Sequence, residues 1–232
     1  MDDYEATLVD VSSITPTVKH FLFELDGDWS FSPGQHTVFT LDIDGEDVHR
    51  PYTMTNLSRD KNRFSVAVKR YDDGTGSVHM HGLDRGDTVS VSEPKGNLHL
   101  QNYTRDVVFL STGTGATPMI AMLREYLERG SGTAYYLHGE KTTESRLFTS
   151  ELTLLDAEQD DLSVVYSLSD ESWQGREGFI QDHVDDVVDV VNEPDYYVCG
   201  VPQMVVAAKE KLVRLGVSDD QIISEGWEED AA

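Results

Sequence analysis

The sequence predicts two domains: an antiparallel β-barrel over residues 1–103, followed by an α/β parallel sheet over residues 104–232. Three observations carry this prediction. Short runs with alternating apolar residues fill the first part, and continuous apolar runs separated by helical segments fill the second. Turn signals also recur through the first part. Alternation is typical of strands with one solvated face, whereas continuous runs are typical of strands buried on both faces.

The first part contains short strands bounded by Gly, Pro and Asp turns. The run "TVFTLDID" (37–44) has near-alternating apolar residues, and "FSVAVKR" (64–70) places Phe64, Val66 and Val68 on one face. "DTVSVSEP" (87–94) repeats the pattern before a proline stop. The turns "SPG", "DDGTG", "RGD" and "PKG" separate such runs. Strands at this spacing are typical of an antiparallel barrel or sandwich.

The second part alternates buried strands with helices, which favours a Rossmann-like parallel sheet. The apolar runs are "VVFL" (107–110), "AYYL" (134–137), "LSVVYSL" (162–168) and "YYVC" (196–199). The helical segments "PMIAMLREYLERG" and "PQMVVAAKEKLVRLG" each begin with proline and end with glycine. Ligands bind at the carboxyl ends of such strands. Gly113, Gly139 and Gly200 follow three of them, and this predicts a nucleotide site.

The composition excludes several functions. With 43 acidic and 18 basic residues, the net charge of −25 argues against a nucleic-acid partner. The acidic residues are spread along the chain, so we expect a protein adapted to high salt, the alternative being an acidic docking face for one basic partner. A single cysteine, Cys199, excludes an internal disulfide and any four-cysteine metal site. Without a visible signal peptide or membrane span, a cytoplasmic location is expected.

The loop "STGTGATP" (111–118) has the features of an anion site at a strand-to-helix turn. It lacks the "GK[ST]" of a triphosphate loop, and Pro118 stands where the third glycine of the dinucleotide fingerprint belongs. Gly113 and Gly115 still leave backbone N–H groups for an anion. A glycine-rich turn without a ligand is the alternative.

Three ordered motifs, "RPYT" (50–53), "GTGATP" (113–118) and "CGVPQM" (199–204), resemble the ferredoxin–NAD(P)+ reductase family. The resemblance covers essentially the whole chain. It implies a flavin-binding barrel that holds FAD and a second domain that takes NADH or NADPH. The implied reaction, of the EC 1.18.1 type, passes a hydride between nicotinamide and flavin. Single electrons then go to a separate carrier such as ferredoxin.

The resemblance implies an FAD site made by the first domain. Arg50 and Pro51 open the motif, with the Arg50 guanidinium on the flavin pyrophosphate; the alternative is a surface arginine offset by Asp47. Tyr52 would lie against the isoalloxazine ring, or belong to the barrel core, and the Thr53 hydroxyl would reach flavin N5. Backbone N–H groups and a hydroxyl would come from Gly74, Gly76 and Ser77. His79 and His81 diverge at their two-residue spacing, so we expect no metal.

In the second domain the resemblance implies a nicotinamide-nucleotide site. Its residues would be Thr112, Gly113, Thr114, Gly115, Pro118, Cys199, Gly200 and Met204. Cys199 would lie beside the reacting nicotinamide, unless it is a small buried side chain at a strand end. In "SEGW", Glu225 and Trp227 match the family's C-terminal acid and aromatic residue; a packed tail tryptophan is the alternative for Trp227. Tyr52, Thr53, Cys199 and Glu225 are the candidate catalytic residues.

The choice of nucleotide depends on Ser169 and Asp170. Members of the family that use NADPH often carry Ser-Arg here, and Asp170 occupies the arginine position. A carboxylate repels a 2′-phosphate and can accept hydrogen bonds from a ribose diol, which favours NADH. Arg176 and Lys141 are the cations that could still reach a phosphate.

Two other functions are open. One is a non-enzymatic nucleotide-binding module; the other is the reductase subunit of a larger electron-transfer complex. For carrier docking, the chain offers a modest basic cluster, which consists of Arg59, Lys61, Arg63, Lys69 and Arg70.

Overall fold

Alternating apolar residues build an antiparallel sheet in the first part of the chain. The computed structural model describes residues 4–59 and 61–224. The strands are β1 (Tyr4–Thr15), β2 (Val18–Leu25), β3 (His36–Ile43), β4 (Glu46–Thr53), β5 (Arg63–Lys69) and β6 (Thr88–Val91). They run in the order β4-β3-β6-β1-β2-β5, and every neighbouring pair is antiparallel. A bridge between Met54 and Val66 links the two outer strands of this barrel-like sheet.

Aromatic side chains fill the core of this unit. The Phe23 ring lies 5.4 Å from the rings of both Phe39 and Phe64, and Trp29 lies 4.8 Å from Phe64. All four side chains are buried. Burial of rings of this size supplies much of the free energy that stabilises a sheet unit.

Strand β5 differs from its predicted alternation, because its second face is also buried. Ser65 is buried although the pattern places it on the solvent side. Its N–H donates to the Asn56 side-chain oxygen at 2.8 Å, and its hydroxyl lies 2.8 Å from the Thr55 hydroxyl. The segment after β4 therefore covers that face and supplies the hydrogen bonds that a buried serine needs. Helix α1 (Thr75–His81) follows β5.

The second part of the chain forms a six-stranded sheet in which all strands are parallel. The strands are β7 (Val107–Thr112), β8 (Ala134–Glu140), β9 (Leu162–Leu168), β10 (Arg176–Glu177), β11 (Asp195–Cys199) and β12 (Ile222–Ser224). Their order is β10-β9-β8-β7-β11-β12. The four predicted apolar runs are confirmed as β7, β8, β9 and β11. The outer strands β10 and β12 have only two and three residues, too few to form an apolar run, so the sequence pattern does not predict them.

Helices cover both faces of the parallel sheet. They are α2 (Ala116–Arg129), α3 (Thr149–Glu158), α4 (Val184–Val187) and α5 (Pro202–Arg214). Helix α2 begins two residues before Pro118, which therefore lies in its first turn, where a missing N–H costs nothing. Leu137 and Leu212 lie in the core shared by the sheet and α5, whereas the Tyr136 hydroxyl points to the Ala116 carbonyl of α2.

Two compact units result, Met1–His99 and Leu100–Ala232. The sequence-based boundary after residue 103 lies a few residues beyond the division between His99 and Leu100. The backbone N–H of Gln101 donates to the Tyr197 hydroxyl at 2.8 Å, which attaches this segment to the second unit. Within residues 4–59 and 61–224, no helix is long and apolar enough to cross a membrane.

Candidate functional site

Arg50 lies on β4 with its side chain across α1. A Cβ placed on Gly76 would lie 2.8 Å from Arg50 Cγ and 3.2 Å from Nε, so only glycine lets the side chain pass so close. One guanidinium N–H donates to the His49 carbonyl at 2.8 Å. Among the described residues Arg50 has no ion pair, with Asp47 or with any other carboxylate. In a chain of net charge −25, an exposed arginine left in this state is well suited to an anionic ligand.

Tyr52, two residues further along β4, has a half-buried ring. The ring meets Phe39 edge to face at a centroid distance of 5.2 Å. Burial raises the pKa of Tyr52 to about 12, against the smaller effect of the Arg50 charge, which lowers it. The phenol therefore stays neutral at physiological pH, so Tyr52 can pack and donate a hydrogen bond but cannot act as a base. Thr53 ends the strand beside it, also half-buried, whereas Pro51 is exposed.

The turn before α1 is fastened by Ser77. Its hydroxyl accepts from the Tyr71 N–H at 3.0 Å and donates to the Gly74 carbonyl at 3.0 Å. A Cβ on Gly74 would lie 2.6 Å from this hydroxyl, which accounts for the glycine. The structure thus engages the Ser77 hydroxyl within the turn, while the sequence predicts that it faces a pyrophosphate. Ser77 shapes the segment that Arg50 crosses.

In α1, the His81 side chain is held by the protein. His81 Nε2 lies 2.8 Å from the Val68 carbonyl, and burial, the largest effect, lowers the pKa of His81. Within the described ranges no three His, Cys, Asp or Glu side chains group as metal ligands.

In the second unit the two predicted nucleotide motifs touch each other. A Cβ on Gly115 would collide with the Cys199 carbonyl, and one on Gly200 would collide with the Thr112 hydroxyl. That hydroxyl also accepts from the Val201 N–H at 3.2 Å. The loop after β7 and the turn after β11 therefore pack backbone to backbone, as their register in the sheet requires.

These contacts correct the interpretation of the strand-end glycines. We expected Gly139 and Gly200 to admit a ligand, yet a Cβ on Gly139 would meet the Ile180 side chain at 2.9 Å. Gly115, Gly139 and Gly200 are needed because other parts of the chain approach them. Gly113 is different: its φ is +55°, and no atom lies within 4 Å of a Cβ built there. It is the loop position with open space for a ligand.

The remaining predicted nucleotide residues fall into two groups. Pro118 and Met204 are buried, and Met204 Cε supports Gly200 from the core side, so these two residues shape the site from within. Thr114 and Cys199 are half-buried at the sheet edge. Glu225 and Trp227 lie outside the described residues.

The end of β9 is strongly acidic. The Ser169 hydroxyl donates to the exposed Asp170 carboxylate at 2.7 Å. The adjacent Glu171 accepts from the Thr143 N–H and hydroxyl at 2.6 and 3.0 Å. This carboxylate joins the loops after β8 and β9, and sequence reasoning missed it because the contact spans 28 residues.

Three cationic side chains near this end of the sheet differ in the groups that they contact. Arg176 lies 3.2 Å from the Asp186 carboxylate, which holds its guanidinium. Arg146, which sequence reasoning missed, stacks on Trp173 and Tyr166, with its guanidinium carbon 4.8 and 5.1 Å from the ring centroids. Lys141 has no ion pair within the described part of the chain.

Comparison with known proteins agrees with this two-unit organisation. Residues 5–100 match the family model "Oxidoreductase FAD-binding domain", and residues 109–210 match "Oxidoreductase NAD-binding domain". Ferredoxin–NADP reductase B of Sorangium cellulosum is 31% identical, over 90% of this chain and 91% of that protein. The chain belongs to the ferredoxin–NAD(P)+ reductase family. Its cofactors are therefore FAD and, as co-substrate, NAD(P)H.

Other members of the reductase family show how varied its roles are. NADH-cytochrome b5 reductase 1 of Kluyveromyces lactis is 32% identical, over 82% of this chain and 71% of that protein. The glycine betaine monooxygenase reductase subunit of Chromohalobacter salexigens is 31% identical, over 88% of this chain and 58% of that protein. In fold, the FAD/NAD-binding domain of nitric oxide dioxygenase from Vibrio cholerae aligns with a TM-score of 0.90 at 24% identity, covering 97% and 98% of the two chains.

Proposed function

We propose that this family member is an NADH-oxidising flavoenzyme that passes single electrons to a separate carrier protein such as ferredoxin. The observation that carries the proposal is Arg50, an exposed arginine without a carboxylate partner among the described residues, lying across Gly76. Bound FAD supplies a centre that takes a hydride and releases electrons one at a time. The tasks of the chain itself are to bind, orient and shield.

In the FAD-binding unit, Arg50 is the residue for the pyrophosphate, because a guanidinium pairs with two phosphate oxygens at once. Tyr52, neutral and half-buried beside Phe39, offers a flat ring for the isoalloxazine. The Thr53 hydroxyl, at the end of the same strand, is a hydrogen-bond donor for the flavin. The residues present thus fit the group, since β4 carries all three and brings the Arg50 side chain to α1.

In the nucleotide-binding unit, the open space at Gly113 is the place for the pyrophosphate of NAD(P)H. The loop 113–115 precedes α2, and its backbone N–H groups are the donors at the start of that helix. Thr112, Cys199 and Gly200 hold the loop on the end of β11. The nicotinamide belongs on the Cys199 side of this edge, as the family resemblance implies.

NADH is the proposed co-substrate because two carboxylates crowd the end of β9. Asp170 is exposed and already orients the Ser169 hydroxyl, an arrangement suited to a ribose diol. Arg176, which could offset that charge, is held by Asp186. The opposing observation is Lys141, which has no ion pair within the described residues.

The cysteine count supports a separate electron acceptor, because one thiolate cannot hold an iron–sulfur cluster within these 232 residues. The basic cluster offers an acidic acceptor little free positive charge, because carboxylates of the same unit lie close to several of its members. Arg63 pairs with Glu24 at 2.5 Å, and Lys61 and Arg70 lie 3.9 Å from Asp28 and Asp72.

Substitution at Arg50 tests the flavin site. We expect Arg50→Ala to be purified with well under half the FAD of the wild type, because the pyrophosphate loses its bidentate partner. Arg85→Ala is the matched control, since Arg85 is an exposed arginine of the same unit that pairs with Asp10. FAD content is read from the visible absorbance. Equal FAD in Arg50→Ala and wild type would contradict the assignment.

A reductase subunit of a larger oxygenase system is the second candidate, and the relationship to the glycine betaine monooxygenase reductase subunit favours it. Turnover with purified ferredoxins separates the two. A free reductase gives NADH-dependent reduction of a ferredoxin, whereas a dedicated subunit reduces only a tightly co-purifying partner. A protein that takes up no FAD would instead indicate a non-enzymatic nucleotide-binding module.

A further inference from the structure

A fully buried histidine lies beneath the carboxyl ends of the parallel strands. His138 is on β8, and its side chain is 0% exposed. Its Nδ1 lies 2.9 Å from the hydroxyl of Ser111, the residue directly opposite on β7, which is also fully buried. On its other side the ring meets Tyr166 of β9 edge to face at 5.9 Å. His138 thus stands at the centre of three neighbouring strands.

The second ring nitrogen is not satisfied in the same way. Nε2 forms no hydrogen bond within the described residues, although a carboxylate oxygen of Glu140 lies 3.4 Å away. That distance is within reach of an ion pair, but the two groups are not aligned for a hydrogen bond. The Glu140 side chain is only 8% exposed, so the imidazole is the polar neighbour of two buried groups, the Ser111 hydroxyl and the Glu140 carboxylate. An apolar residue at position 138 would leave both groups without this contact.

The two polar neighbours of His138, Ser111 and Glu140, lie close to the two ends of the proposed nucleotide site. Ser111 is followed by Thr112 and Gly113, the start of the proposed pyrophosphate loop. The Glu140 carbonyl accepts from the Ser169 N–H at 3.0 Å, one residue before Asp170. One buried chain of contacts therefore connects the proposed phosphate side with the proposed ribose side.

We propose that His138 is a positioning residue for the nicotinamide nucleotide. Its imidazole fixes the end of β7 against the end of β8, so that Gly113 and Asp170 stay at the separation that one nucleotide needs. Binding is weakened when such a spacing relaxes, even though no contact with the ligand is lost. The inference rests on the proposed nucleotide site.

The test compares His138→Phe and Ser111→Ala with wild-type holoenzyme, with NADH as electron donor and ferricyanide as acceptor. Both variants remove the 2.9 Å contact, the first with the ring volume kept and the second with a minimal change. We expect KM for NADH to rise about three- to tenfold in each, with kcat changed less than about twofold, because binding geometry and not chemistry is affected. His138→Asn, which keeps a polar atom near the Nδ1 position, is expected to recover most of the affinity.

Leu137→Val is the packing control, because Leu137 is fully buried on the other face of the same strand. It is expected to lower thermal stability and leave KM unchanged. An unchanged KM in Ser111→Ala and His138→Phe would overturn the inference, as would an equal rise in Leu137→Val. If wild-type enzyme oxidises neither NADH nor NADPH, the proposed function fails, and calorimetric binding of NAD+ to the same variants then tests the positioning role separately.

Discussion

At the scale of single residues, the proposed preference for NADH over NADPH depends on one exposed carboxylate. Asp170 follows β9 and accepts a hydrogen bond from the Ser169 hydroxyl at 2.7 Å. Two unit charges about 4 Å apart in water repel by about 1 kcal/mol, and a phosphate carries more than one charge. Salt screens exposed charges, so we expect the discrimination between NADH and NADPH to be largest at low ionic strength.

Reversal of this charge gives a prediction for a variant enzyme. We expect Asp170→Arg to lower the ratio of kcat/KM for NADH to that for NADPH by about tenfold or more, because a guanidinium attracts the 2′-phosphate. Glu158→Arg makes the same charge change at the opposite, amino-terminal edge of β9 and is expected to leave the ratio unaltered. A ratio that stays constant in Asp170→Arg would rule out Asp170 as the discriminating residue.

At the scale of elements, the contact between the loop after β7 and the turn after β11 divides the glycines by role. Gly115 has an ordinary φ of −57°, and it is glycine because the Cys199 carbonyl occupies the place of a Cβ. Gly113 has the reverse features, a φ of +55° and no neighbour within 4 Å. We therefore expect substitution of Gly115 to affect mainly stability and substitution of Gly113 to affect mainly nucleotide binding.

We expect Gly115→Ala to lower the free energy of unfolding by about 2–4 kcal/mol, since its Cβ must displace backbone. Gly113→Ala should cost about 1 kcal/mol for the left-handed conformation and should mainly weaken nucleotide binding, because its Cβ enters the open space. Urea unfolding and KM for NADH measure the two effects. Equal stability loss with equal KM in both variants would contradict the division of roles.

The strands and helices were more predictable than the contacts between them. Continuous apolar runs gave β7, β8, β9 and β11 because burial on both faces removes polar residues from a strand. The short strand β10 lacks that signal, since two residues at a sheet edge need no apolar side chains. The roles of Gly115 and Gly200 depend on a neighbour more than 80 positions away in the chain. A single sequence shows the glycine but not what approaches it.

In the candidate site, the same distinction holds. The "RPYT" motif led to Arg50 and Tyr52 through the family resemblance, and both residues lie on one strand, β4. Glu171, Arg146 and His138 were missed, since each contacts a partner on another element. The pattern around His138 contains one weak signal, a histidine within an otherwise apolar strand.

At the scale of the whole molecule, buried and half-buried tyrosines make the stability of the fold depend on pH. Burial raises the pKa of Tyr52, Tyr166 and Tyr197 to about 12, from the ordinary value of 10.0. An unfolded chain therefore loses these protons at lower pH than the native protein does. The stabilisation is fully present below pH 10 and is lost as pH rises from 10 to about 12. The expected adaptation to high salt, suggested by the charge of −25, stays a prediction.

Alkaline unfolding tests this linkage. We expect the free energy of unfolding in urea to fall steeply between about pH 10 and pH 12, and Tyr166→Phe to make the fall shallower because one titrating group is removed. Tyr71→Phe is the control, since Tyr71 is 54% exposed. A fall equally steep in Tyr166→Phe and wild type would show that other groups cause it.

The central claim is that this chain binds FAD and reduces it with a nicotinamide nucleotide. Anaerobic titration of the purified, FAD-loaded protein with NADH, followed by flavin absorbance, tests it most directly. The account predicts complete bleaching at about one NADH per FAD, with NADPH acting more slowly. A colourless protein that takes up no added FAD, or a bound flavin that neither nucleotide bleaches, would contradict it.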